Sequence, residues 1–143
     1  MKCTTVIDKD RDEEVLIYLK KPSTISRKVE ELISAEAPEL MGYGDKSIVR
    51  LDLFEVFCFT VEDGKVYALT KDDKLILRQR LYTLEEMCGE DFVKINQSCI
   101  VNTKSILKFD TSLGGSLMVT LKNGYRDYVS RRQLRTVKER LGF

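Results

Sequence analysis

The chain has no histidine, and that absence narrows the chemistry open to it. General acid–base work near neutral pH draws first on imidazole or on a buried carboxylate pair. Carboxylates are plentiful here, but they fall in predicted turns such as Asp63-Gly64 and Asp72-Asp73. Gly114-Gly115 opens no helix and is followed by no Lys-Ser or Lys-Thr, so a phosphate-cradling loop is not encoded there. Cys3, Cys58, Cys88 and Cys99 contain no Cys-x-x-Cys pair, which argues against zinc; beside apolar neighbours they read as small core residues. Asp8, Asp10 and Asp12 have the spacing of a calcium loop, but its sixth and twelfth places hold Glu13 and Leu19 instead of Gly and Glu. The expectation is a protein with no catalytic residues, no metal and no cofactor.

What remains is hydrogen-bonding chemistry on polar turns. Between Phe92 and Asn102 the sequence reads Phe-Val-Lys-Ile-Asn-Gln-Ser-Cys-Ile-Val-Asn. Val93 and Ile95 alternate with Lys94 and Asn96 as in a half-buried strand, and Ile100-Val101 returns to the core after the turn Asn96-Gln97-Ser98. An amide such as Gln97 offers both a donor and an acceptor from that turn. Further on, Val129-Ser130-Arg131-Arg132-Gln133-Leu134 opens a basic amphipathic helix, with Ser130 and Gln133 spaced as a capping box.

These turns need a scaffold, and the periodicity predicts a mostly β one. Strands are expected at 47–51, 55–61, 66–70, 74–77, 92–95, 106–109, 117–121 and 126–129, with a helix at 81–88 stopped by Gly89. Asp63-Gly64, Asp72-Asp73, Gly114-Gly115 and Asn123-Gly124 are the hairpin signals, and Asn123-Gly124 is expected to form a type I′ turn. Upstream, residues 3–7 and 14–19 read as two strands joined by an acidic turn, and Pro22-Ser23-Thr24 starts a helix with an apolar stripe of Ile25, Val29, Leu32 and Ile33, closed at the latest by Pro38. The fold class is thus mainly β, α+β overall: a ββα leader at residues 1–43 and an antiparallel β domain at 44–143. A leader this short cannot bury enough surface alone, so it is expected to dock on the following domain, a second copy or another protein.

The net charge of +1 conceals an asymmetry: residues 1–63 hold 9 Lys/Arg against 14 Asp/Glu, and residues 64–143 hold 15 against 9. Lys122, Arg126, Arg131, Arg132, Arg135, Lys138 and Arg140 face only Asp127 and Glu139 at the C-terminal end. A basic stripe of this kind fits a polyanion. No apolar run approaches the ~18 residues of a membrane span, and Met-Lys-Cys-Thr-Thr-Val is no signal segment, so a cytoplasmic location is expected.

The order Phe-x-Lys-Ile-x-x-Ser-x-Ile-Val-Asn, a hairpin, then Val-Ser-Arg-Arg-x-Leu and a basic helix, resembles the LytTR-type DNA-binding domain of bacterial transcription regulators. The resemblance covers about 100 residues, from roughly Gly44 to Phe143. It implies an elongated, mostly antiparallel β fold that contacts double-stranded DNA through loops. Carried onto this sequence, it places Asn96 and Gln97 in the reading turn, where many members have His and a basic or amide residue. It makes Arg132 a direct contact and Arg131 a backbone or packing residue. Lys65 becomes the one plausible contact of the 62–65 hairpin, where Glu62 and Asp63 depart from what a phosphate would favour. Lys94 and Lys104 flank the motif and suit phosphates, whereas Asn102 is expected to hold backbone. The resemblance further implies a stand-alone regulator with a leader in place of a receiver domain, a homodimer, and a membrane-protein inhibitor of the kind often paired with small members. Its alternative is an interaction module of the same fold, held by such a partner and binding DNA weakly or not at all.

Overall fold

The computed structural model describes residues 1–34, 40–111 and 114–143, and the chain divides into two compact units, Met1–Ala37 and Pro38–Phe143. In the first unit the regular element is helix α1, Thr24–Ser34. Ser23 opens it, its hydroxyl accepting from the Ile25 amide at 3.2 Å. The expected strands at 3–7 and 14–19 are not formed: both segments are irregular, and only the turn near Asp8, whose carboxylate accepts from the Asp10 amide, is locally ordered. Residues 14–19 have strand-forming side chains but, among the described residues, pair with no strand, and a strand exists only through its ladder. The close at Pro38 lies outside the described residues.

The second unit is mostly antiparallel β. In chain order it comprises β1 (Leu40–Tyr43), β2 (Ile48–Leu51), β3 (Cys58–Glu62), β4 (Lys65–Leu69), β5 (Lys74–Leu77), helix α2 (Leu81–Met87), β6 (Phe92–Asn96), β7 (Cys99–Asn102), β8 (Ile106–Thr111), β9 (Leu117–Leu121), β10 (Arg126–Val129) and helix α3 (Arg131–Leu141). The first seven strands form one sheet in the order β2-β1-β5-β4-β3-β7-β6; the last three form a second, β10-β9-β8. Strand β1 pairs with both β2 and β5, so residues 40–43 belong to this unit and not to the leader. Its Gly42 has a packing reason: a Cβ there would stand 2.8 Å from the Leu75 side chain. The expected strand start at Glu55 is instead a 3₁₀ turn, Leu53–Glu55, capped by the Asp52 carboxylate on the Phe54 amide.

Each face of the large sheet has its own core. On one face Cys58, Val93, Ile95, Cys99 and Val101 meet Leu117, Val119, Leu121 and Val129 of the small sheet and Val137 of α3. On the other, Phe59, Ala68, Leu75, Leu77, Phe92 and Ile100 pack with Leu40, Leu51, Val56 and with Leu84 of α2. Strands β6 and β7 are covered on both sides, which makes their connecting turn a rigidly held feature.

Candidate nucleic-acid interface

The turn between β6 and β7 is fastened from three directions. Asn96 lies almost wholly buried, 3% exposed. Its amide nitrogen donates to the Tyr128 carbonyl at 2.9 Å, and its oxygen accepts from the Ser98 amide at 2.8 Å. The Ser130 amide donates to the Ile95 carbonyl at 2.9 Å, tying the start of α3 to the end of β6, and the Val61 amide donates to Ser98 oxygen at 2.9 Å, tying the end of β3 to the turn. Three segments distant in sequence, 61–65, 96–98 and 130–132, are thereby brought to one end of the sheet.

This geometry separates the two candidate amides. Asn96, expected as a DNA contact, is placed differently from Gln97: it is buried and both of its polar ends are engaged within the chain, so here it builds the turn. Gln97 and Ser98 are exposed at the tip. Among the described residues Gln97 has no hydrogen-bond partner, so its amide is available.

Helix α3 presents Arg131 and Arg132 in its first turn, both exposed and, among the described residues, without a carboxylate partner. Ser130 is the N-cap residue, but its hydroxyl makes no capping bond, so the expected capping box does not form; its carbonyl accepts from the Gln133 and Leu134 amides at 3.0 Å. Two cations and no acid stand where the helix dipole is positive, which costs the helix about 0.3–1 kcal/mol per charge and favours an incoming anion. The helix is held by other means. Val137 is buried, the Arg140 guanidinium donates to the Phe92 carbonyl of β6, and Gly142 ends the helix at φ 77°, with its amide on the Lys138 carbonyl.

The 62–65 hairpin turns through Asp63 and Gly64 at φ 51° and 74°, a type I′ arrangement. Asn123 lacks positive φ; the Gly124 amide closes on the Leu121 carbonyl at 2.9 Å with Gly124 at φ 90°, so the type I′ turn expected at that hairpin does not form there. Glu62 is drawn to the Lys74 ammonium, whose pKa is raised by that hydrogen bond, and Lys74 also lies 4.5 Å from the centre of the Tyr67 ring. Lys65 is exposed and, among the described residues, has no ion-pair partner.

The remaining lysines are placed differently. Lys94 is half-buried, with its ammonium 3.7 Å from Glu85, in a cleft of about 290 Å³ bounded by α2, β6 and α3. Lys104 sits beyond the opposite end of β7, 3.5 Å from Asp91 and 5.9 Å from the centre of the Phe54 ring. At about 3.3 Å per residue, the length of β7 puts it on the order of 15 Å from the turn. Asn102 holds backbone, donating to the Val56 carbonyl at 3.0 Å and accepting from the Lys104 amide at 3.1 Å.

Sequence reasoning missed two supports of the turn. Tyr128 supplies the carbonyl that anchors Asn96 while its ring is exposed; only the period-2 alternation of Arg126 and Tyr128 hinted at its outward position. Tyr125 donates its hydroxyl to Asp127 at 3.1 Å and lies 3.2 Å from the Thr60 hydroxyl, bracing β10 against β3 beneath the interface. Burial pushes the Tyr125 hydroxyl above its ordinary pKa. No local sequence signal marks that pairing across 65 residues.

The two-sheet β unit gathers an exposed amide and two guanidinium groups that, among the described residues, have no carboxylate partner at one end of the large sheet. Residues 46–142 match the family model of the LytTr DNA-binding domain, and the chain belongs to the LytTR family. It is 38% identical over 102 residues to an uncharacterized HTH-type transcriptional regulator of Staphylococcus aureus strain bovine RF122, covering 71% of this chain and 69% of that one. The counterpart in S. aureus strain NCTC 8325 matches over the same shares at the same identity. The fold is shared with the LytTr DNA-binding domain of a methyl-accepting/DNA response regulator from Bacillus cereus, at a TM-score of 0.69 and 18% identity over 74% of this chain and 99% of that one. Despite the relatives' label, α2 and α3 are separated here by five strands and form no consecutive helix pair. Among the described residues no helix is long and apolar enough to cross a membrane.

Proposed function

We propose that this protein is a sequence-specific transcription regulator that binds duplex DNA through loops, with Gln97 and Arg132 reading base edges and Arg131 and Lys65 on the backbone. The observation that carries this reading is the cation pair at the positive end of α3, without a carboxylate partner among the described residues and bonded through Ser130 to the strand whose turn exposes Gln97. Lys94 and Lys104 act as phosphate contacts of lesser weight, each sharing its charge with a carboxylate of the protein. The protein works in the cytoplasm as a homodimer on repeated half-sites. The names of the S. aureus relatives and of the family support the reading.

Gel-shift titration with genomic fragments, followed by footprinting, tests it. A preferred fragment with a protected repeat is the expected result; equal affinity for every fragment would overturn it. A second reading, an interaction module restrained by a membrane-bound partner, draws on the exposed apolar side chains among residues 1–33. The same titration separates the two, since that reading requires weak binding without preference.

A further inference from the structure

The two edges of the seven-stranded sheet are unlike. At the β6 edge, α3 takes up backbone acceptors: Ser130 donates to the Ile95 carbonyl and Arg140 to that of Phe92. At the β2 edge, the ladder runs to β1 alone among the described residues, and Ile48 and Val49 are 63% and 36% exposed. A bare edge strand is a template for another strand, and proteins ordinarily blunt it. The same chain carries an unused strand sequence. Val15-Leu16-Ile17-Tyr18-Leu19 is β-branched, aromatic and aliphatic throughout, forms no ladder, and leaves Leu16 61% and Tyr18 89% exposed.

We infer that Glu14–Leu19 of one copy adds as a strand to the β2 edge of a second copy, and reciprocally, so that two leaders exchanged across a two-fold axis form the dimer. The faces agree. Val15, Ile17 and Leu19 would fall on one side and Leu16 and Tyr18 on the other, and β2 exposes Val49 on one side and Ile48 beside Arg50 on the other, Leu51 being already buried in the core. The charges set the direction. In parallel orientation Glu14 lies beside Lys46 and Lys20 beside Asp52, against one like pair, Glu13 beside Asp45; antiparallel addition reverses the balance, with Glu14 beside Asp52 and Lys20 beside Lys46 against Lys21 beside Asp45. Main-chain hydrogen bonds along the edge supply the attachment, and the alternate side chains supply its selectivity for this leader. Reciprocal exchange occupies both open edges and closes the assembly at two copies. The inference deepens the homodimer of the proposed function and rests on that reading only for the pairing of copies.

The test uses the full chain without DNA, by sedimentation equilibrium, and three samples. Wild-type protein is expected to dimerise. Ile17→Pro, which removes a leader amide, and Ile48→Lys, which charges the edge, are each expected to weaken self-association about tenfold or more, with thermal midpoints confirming that both stay folded. Mixing the two variants is the decisive sample, because a mixed pair retains one intact leader on one intact edge; partial recovery of the dimer is expected. A wild-type protein that stays monomeric overturns the exchange, as does a dimer indifferent to Ile48→Lys, which would place the contact between leaders. DNA titration of the same samples keeps the readings apart. A monomer that prefers one fragment sinks the exchange and leaves DNA recognition standing; a dimer with no preference does the reverse.

Discussion

The two ends of the β6–β7 pair carry similar side chains and use them differently. At the turn end, Gln97, Arg131 and Arg132 are exposed and, among the described residues, unpartnered, while the backbone beneath them is fixed by Asn96, Ser130 and Val61. At the far end, Lys104 is shared between Asp91 and the Phe54 ring, and Asn102 is turned inward onto Val56 and Lys104 backbone. Each end thus has one buried asparagine that builds it, but among the described residues the cations of the turn end are uncommitted, whereas Lys104 at the far end is not. A polar residue type says little about its use; whether the fold has already claimed its hydrogen bonds says more.

The largest expected effect comes from breaking the scaffold at the turn end. Asn96→Ala leaves the Tyr128 carbonyl and the Ser98 amide without their partner in a buried setting, and should cost about 2–4 kcal/mol of stability. Its neighbour Gln97→Ala should stay within about 0.5 kcal/mol of wild type, since that side chain is exposed and bonds to none of the described residues. Urea denaturation of both variants checks the pair. Similar losses for the two would erase the division of labour between adjacent amides.

Affinity provides the next contrast. Arg132→Ala should lower affinity for the preferred DNA by about 5- to 150-fold, the worth of a bidentate or charge-assisted bond of roughly 1–3 kcal/mol, and should weaken non-specific binding less. Equilibrium titration on preferred and scrambled duplexes measures both. Lys104→Ala should fall well below that on either duplex, because the lysine gives up its contact with Asp91 to reach a phosphate.

The smallest effect is in the salt dependence. With about four to six phosphates neutralised, log affinity should fall steeply with log salt, at a slope near −0.9 per contact. Arg131→Ala should reduce the slope by roughly one contact, and Lys104→Ala by less, since its neutralisation by Asp91 leaves fewer counterions to release. Equal reductions would show that the ion pair at the far end is of no consequence to binding.

Much of the scaffold was legible in the sequence because its strands alternate. β5, β9 and β10 fall at the positions that period-2 patterning predicts, and helices α2 and α3 end where their apolar stripes do. β7 was harder to see as a strand: all four of its residues are buried, so it has no alternation to betray it. β1 is a short strand interrupted by Gly42, and its place is set by Leu75 from a strand thirty residues on. Residues 14–19 show the converse, strong strand propensity without a ladder among the described residues. At the interface, the motif located the turn and the helix opening, but Asn96 and Gln97 could not be told apart by type. Their difference comes from β10, whose Tyr128 carbonyl arrives from 32 residues away. Ser130 likewise read as a side-chain cap and turned out to serve through its backbone, the amide on Ile95 and the carbonyl on the helix.

The central claim is that Gln97 and Arg132, held at one rigid end of the sheet, read base identity. The most direct measurement is a titration of Gln97→Ala and Arg132→Ala against the footprinted site and against the same duplex with single base pairs changed inside the footprint. Each variant should lose discrimination at its own base position, about 1–3 kcal/mol there and little elsewhere, while the other position stays discriminated. Uniform weakening across every duplex, with discrimination intact at all positions, would contradict the account and reduce both residues to backbone contacts.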